Sequence, residues 1–208
     1  MNLSVEDTER SFIPADSYLT GYLNTIDEYY PSDGIEVYFV FESNGSDIYD
    51  NRDELANLSD RLAGKSTDKP YIAEPKGDKF INVMSGFADH LTNSGSTLTG
   101  ITLGSDNWPT TEADFVSELA AFASRNNTEG SEYATDVVFN GDKTAVTAIR
   151  MKSEYVRLTK IEGSRVIDDA DKQILAMDAT RDMIDSWDDL PTVFPYSEKF
   201  IAVEGKLI

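Results

Sequence analysis

Apolar residues recur along this chain with two periods, and the switches between them mark out the elements. Tyr18, Tyr22, Ile26 and Tyr29 are spaced by four, four and three positions. That spacing follows one face of a 3.6-residue turn and predicts a helix over 15–30. Asp16 or Ser17 would cap it after Pro14, and the polar stretch Pro31 to Gly34 would end it. A tyrosine stripe of this kind is expected in a core rather than in a ligand box. The run from Ile35 to Glu42 is rich in β-branched and aromatic residues and reads as a strand entering the core.

Helical spacing returns at Leu55, Leu58 and Leu62, which predicts a helix over 52–63 stopped by Gly64. A further helix is expected over 78–93, on the stripe Phe80, Val83, Met84, Phe87 and Leu91. Polar residues 94–109 separate it from a helix over 110–125. There Thr111 and Asp114 resemble a capping box, and Phe115, Leu119 and Phe122 form the buried face. Residues 134–139 and 144–158 read as strands joined at Asn140-Gly141, the strongest short-range hairpin signal. In the second strand Val146, Ala148, Met151 and Tyr155 fall among polar partners.

A long helix is expected over 167–187, with Asp168 and Asp169 at its start, where negative charge suits the helix dipole. Its stripe is Ile167, Ala170, Ile174, Met177, Ile184 and Trp187, interrupted by Arg181. A short strand over 192–197 closes the series. With no repeat and no long linker, the pattern gives one domain over 1–208. Its fold class is α+β, a small, mostly antiparallel sheet with helices packed on one face.

Composition narrows the function. The 208 residues are 40% hydrophobic and 11% aromatic, enough for one sizeable core. Asp and Glu number 38 against 18 Lys and Arg, a formal net charge of −20. Such a surface repels phosphates and anionic headgroups, which argues against nucleic acid and against membrane binding through basic patches. With no cysteine there is no thiol catalysis, Cys-based zinc site or iron–sulfur cluster. No apolar run approaches the roughly 20 residues of a membrane helix. The first residues have neither the basic nor the apolar region of a signal peptide, so any targeting information is expected elsewhere in a longer chain. Asn2, Asn44, Asn57 and Asn126 each open an Asn-x-Ser/Thr acceptor pattern, which points to a lumenal or extracellular location.

Candidate chemistry is sparse. The single histidine, His90, is expected on a helix flank, solvated and not catalytic. No Gly-x-Ser-x-Gly elbow or phosphate-cradling glycine loop is present. The oxygen-rich run Asp47, Asp50, Asn51, Asp53 and Glu54 lacks the spacing and glycine of an EF-hand, and reads as an acidic helix start. The pairs Asp168/Asp169 and Asp188/Asp189 are adjacent on a helix and so diverge. No catalytic, metal or cofactor residue is assigned, and no enzyme activity is expected.

Several stretches together resemble the Patched and Niemann–Pick type C family. They are Phe12 to Tyr22 with Pro14, Asp16, Ser17 and Tyr18; Val37 to Val40; Tyr133 to Phe139; Thr147 to Arg150; Asp168 to Ile174 with Thr180 to Asp182; and Val193 to Ser197. They occur in the order of that family's second large ectodomain, across almost the whole chain. The resemblance implies a ferredoxin-like α+β unit above a transmembrane bundle that contains a sterol-sensing domain.

It also implies a role in binding or passing a sterol or other hydrophobic molecule, together with the first ectodomain of the same protein. Residues 1–14 and 198–208 would then be membrane-proximal and close together at one pole. Asn44, Asn57 and Asn126 would be glycosylation candidates. The disulfides of a human sterol-transporting relative have no counterpart here. The 78–93 helix lacks a tryptophan motif and Glu74 to Gly77 departs from the family turn, so no lipid-contacting residues carry over. The alternatives are a receptor-like protein-interaction module and, third, a soluble enzyme with an unrecognised site.

Overall fold

The computed structural model describes residues 13–14, 16–29, 34–43, 48–62, 71–73, 82–93, 100–124, 131–162, 165–187 and 193–200. Along the chain run α1 (Tyr18–Tyr29), β1 (Glu36–Glu42), α2 (Arg52–Asp60), α3 (Val83–Asn93), α4 (Glu112–Ser124), β2 (Val137–Phe139), β3 (Val146–Glu154), β4 (Thr159–Glu162), β5 (Arg165–Asp168), α5 (Ala170–Asp185) and β6 (Val193–Tyr196).

Four strands form the main sheet in the order β2-β3-β1-β6, with every neighbouring pair antiparallel. Counted in chain order, those strands read second, third, first, fourth. Helices link first to second and third to fourth, and a hairpin links second to third. This is the β-α-β-β-α-β ferredoxin-like topology within an α+β domain.

Period-two alternation sets which sheet face is covered. Val37, Phe39 and Phe41 of β1 point to one face with Ile149, Met151 and Ser153 of β3, Val137 of β2 and Val193 of β6, and all are buried. Leu55 and Leu58 of α2, Met84 and Phe87 of α3, Phe115, Leu119 and Phe122 of α4, and Ala176 and Met177 of α5 join the same core. On the opposite face Tyr38, Val40, Val138, Ala148, Arg150, Lys152, Phe194 and Tyr196 are half-buried or exposed, while Asp136, just before β2, is buried.

Local signals explain the ends of the elements. Thr111 Oγ1 accepts from the Asp114 amide at 3.2 Å and donates to the Asp114 carboxylate at 2.8 Å, an Asp-containing form of the expected box at the start of α4. In the β2–β3 turn, Asn140 Oδ1 accepts from the Thr144 and Ala145 amides, which anchors the hairpin the Asn-Gly pair announced.

Two expectations need correction, and others lie outside the described residues. Tyr18 and Tyr22 are 88% and 58% exposed, so the tyrosine stripe of α1 does not enter the core at these positions. Spacing defines a helix face but not the direction it looks, and α1 turns Thr20 inward instead. The Ile26 and Tyr29 side chains lie outside the described residues. Next, the strand expected to run to 158 ends at Glu154, and Ile167 and Asp168 belong to a strand, not a helix. A second hairpin, β4–β5, pairs Lys160 with Ile167 and Ile161 with Val166. Helix α5 starts after it, capped by Asp169, whose carboxylate accepts from the Lys172 amide. Finally, Phe80 and residues 78–81 of the expected third helix lie outside the described residues, as do most of the two ends whose proximity was expected.

Tyr155 links the sheet to α5. Its hydroxyl lies 2.8 Å from Thr180 Oγ1, which donates to the Ala176 carbonyl. Burial pushes this phenol up to about 12, a rise that the Thr180 hydrogen bond only partly opposes. An unfolded tyrosine releases its proton near pH 10, so between pH 10 and 12 the native state binds more protons than the unfolded one. This contribution is fully present below about pH 10 and is lost as pH rises through the folded value. Wild type should therefore lose about 2–3 kcal/mol relative to Tyr155→Phe across that window. Urea midpoints of both proteins, measured on either side of pH 10, check this. Parallel alkaline loss in the two would refute it.

Candidate functional site

The one histidine is neither solvated nor at the surface. His90 is buried between α3 and α4, with Nε2 2.9 Å from Glu118 Oε1. Its ring stacks on Phe122, with centroids 5.2 Å apart, and lies 6.4 Å from Phe87. The reason is local: positions 87, 90 and 91 share the inward face of α3. The neighbouring buried serines, Ser59 and Ser85, hydrogen-bond each other, and the Asn82 amide oxygen accepts from the Ser59 hydroxyl and the Ser85 amide. This histidine pins two helices together within an aromatic cluster.

The acidic run before α2 is likewise built into the fold. Arg52 donates to the Tyr49 carbonyl at 2.9 Å, pairs with Asp106 at 3.0 Å, and lies 4.5 Å from the Tyr49 ring centre. The Arg52 contact, the largest cause, holds the Asp106 carboxyl below its ordinary value. Asp47 lies outside the described residues. Among the described residues no group of three or more His, Asp or Glu is arranged to hold a metal ion. Asp169 caps α5 while Asp168 ends β5, so that pair does not converge. Asp188 and Asp189 lie outside the described residues. Of the glycosylation candidates, Asn57 is exposed on α2, while Asn44 and Asn126 lie outside the described residues.

The surface feature that stands out is one the sequence reading passed over, the uncovered face of the main sheet. Register places Tyr38 beside Tyr196 and Val40 beside Phe194, a contiguous apolar block across β1 and β6. Val138 beside Ala148 adds a second apolar pair across β2 and β3. Val138, Phe194 and Tyr196 are 52%, 45% and 41% exposed. Between the two groups, Arg150 and Lys152 of β3 stand opposite Val40 and Tyr38.

Polar contacts fix this face. Tyr38 donates its hydroxyl to Glu36 Oε2 at 2.5 Å, and the Arg150 guanidinium lies 4.7 Å from the Tyr38 ring centre. Arg150 also donates through Nε and Nη2 to Asp136 Oδ1, at 2.9 and 2.5 Å. Lys152 pairs with Glu36. The Lys152 and Tyr38 hydrogen bonds hold the Glu36 carboxyl below its ordinary value, and Glu36 in turn raises both Lys152 and Tyr38.

Chemically this is an aromatic platform on an open antiparallel sheet. Such platforms stack nucleobases in some folds, but those sites also need cations for the phosphates. Here the two β3 cations, Arg150 and Lys152, are already paired with Asp136 and Glu36, on a molecule of net charge −20. No helix among the described residues is long and apolar enough to cross a membrane. No protein-family model matches the sequence, and no curated protein matches it.

Proposed function

We propose that this chain is the lumenal or extracellular domain of a Patched- or Niemann–Pick type C-like multi-pass membrane protein, and that it helps to bind or pass a sterol or other hydrophobic molecule. The observation that carries this reading is where the resembling stretches fall. Val37 to Val40 lie in β1, Tyr133 to Phe139 lead through β2, Thr147 to Arg150 lie in β3, and Val193 to Tyr196 form β6. The stretches thus supply all four strands of a sheet whose order is the ferredoxin-like one that the resemblance implies. That fold alone carries many functions, so the ordered motifs do the narrowing. On this reading the domain is not an enzyme and uses no cofactor. Its partners are the rest of the parent protein, including a first ectodomain, and a sterol or lipid cargo.

The test uses the full-length parent protein in sealed microsomes. This domain should resist added protease, and its mobility should shift on endoglycosidase treatment, a shift reduced by Asn57→Gln. Digestion from the cytosolic side, with no glycan, would overturn the proposal. A photoactivatable cholesterol analogue should label the same protein in competition with cholesterol. A second reading, a receptor-like protein-interaction module, is favoured by one observation, the exposed apolar residues on the outer face of the sheet.

A further inference from the structure

We infer that the outer face of the four-stranded sheet is the docking surface for a protein partner that presents an apolar centre rimmed by lysine and arginine. This deepens the interaction-module reading and rests on it. Outward faces of antiparallel sheets that meet water are ordinarily polar. Here Tyr38, Val40, Phe194 and Tyr196 form one block, with Val138 at the far edge. Exposed apolar surface of this kind is on the order of a few hundred Å², the scale of functional patches on monomers.

The block is also held in place. Glu36 and Arg150 fix the Tyr38 ring, and Asp136 fixes Arg150. Aromatic residues and arginine dominate interface energetics, and side chains already ordered lose less entropy on binding.

Geometry and charge choose the occupant. A sterol needs a concave site that covers most of its surface, and one face of a sheet gives it one side only. Single-stranded nucleic acid would bring phosphates onto a face whose β3 cations are already paired with Asp136 and Glu36, on a chain of net charge −20. A second copy would set two chains of net charge −20 rim to rim. A protein surface can cover an open sheet face, and a stable interface needs about 800 Å² per partner. The apolar block is smaller than that, so the partner must also cover the surrounding rim of a chain whose net charge is −20. Complementarity there calls for basic side chains.

The probe is a phage-displayed random dodecapeptide library panned on the 208-residue chain. Enriched peptides should combine aromatic or aliphatic residues with Lys and Arg. Synthetic versions should bind more weakly as salt rises. They should lose about ten-fold or more in affinity for the Phe194→Ser/Tyr196→Ser double variant. Val138→Lys, an exposed edge substitution that adds a like charge, should weaken them independently, which covers the case in which the double variant misfolds. Leu175→Ser, exposed on α5, should leave binding unchanged.

Absence of enrichment, peptides without basic bias, or binding indifferent to both face variants would overturn the inference. So would phosphatidylcholine–cholesterol vesicles that bind wild type but not the face variants. These readouts are independent of membrane topology, so failure here is distinguishable from failure of the microsome test.

Discussion

Gly34→Ala should prevent the domain from folding stably. Gly34 precedes β1 and lies against the backbone of Tyr155. A Cβ built on it would overlap the Tyr155 carbonyl oxygen and sit 2.6 Å from the carbonyl carbon. Neither atom can swing aside as a flexible side-chain end would. The same stretch of backbone is tied on both sides: the Tyr155 amide donates to the Ile35 carbonyl at 2.9 Å, and the Val156 amide to the Tyr71 carbonyl at 2.6 Å. To admit one methyl group, the start of β1 must separate from the end of β3, which are paired from Glu36 with Glu154 onward.

Backbone separation at the centre of a sheet belongs with the severe strain mechanisms, so the cost is expected to be about 4 kcal/mol or more. Against a typical domain stability of about 5–15 kcal/mol, that leaves little or no folded population at 37 °C. Circular dichroism and urea unfolding of the purified variant check this. A midpoint within experimental error of wild type would show that the strand start yields without cost.

The sequence marks Gly34 only as the end of a turn, and the difference shows where periodicity stops being informative. Patterns with a strong local signature were legible. Leu55 and Leu58, Phe115 with Leu119 and Phe122, and the Asn140-Gly141 hairpin all lie where spacing and turn chemistry put them.

Features that depend on what lies opposite were not legible. The β4–β5 hairpin lies within a segment whose alternation fits a continuing strand equally well. The outer sheet face was hidden for a related reason. The run Val37 to Phe41 is apolar at every position, which is how a strand buried on both faces reads. Only the partial exposure of Tyr38 and Val40 distinguishes the two cases, and a single strand carries no record of that. His90 shows the limit for isolated residues: a lone position has no period, and its burial follows from the company of Phe87 and Leu91 on the same helix face.

The second large effect is expected at Phe87, and it separates the folding core from the proposed docking face. Phe87 is fully buried on α3, where it meets Phe115 edge-on at 5.6 Å, Phe122 at 5.6 Å and Trp108 at 6.0 Å between ring centres. Aromatic pairs in such tilted or edge-on arrangements add to the stabilisation from burial itself. Truncation to alanine removes the hub of this cluster. The remaining rings belong to α4 and to the loop before it, whose backbone cannot all move in to close the gap. Phe87→Ala should therefore cost about 3–5 kcal/mol. Its urea midpoint should fall with little change in slope, because the surface exposed on unfolding is nearly the same. Phe87→Leu, which keeps most of the volume, should cost about 1–2 kcal/mol.

Phe194→Ala provides the contrast. It removes a ring of the same size from the uncovered face, where water already reaches it, and should change stability by about 0.5 kcal/mol or less. The same variant should still weaken basic, aromatic peptides if the outer face is where a partner docks. If Phe87→Ala and Phe194→Ala destabilise equally, the outer face is part of the folding core, and its aromatic block needs no partner to explain it.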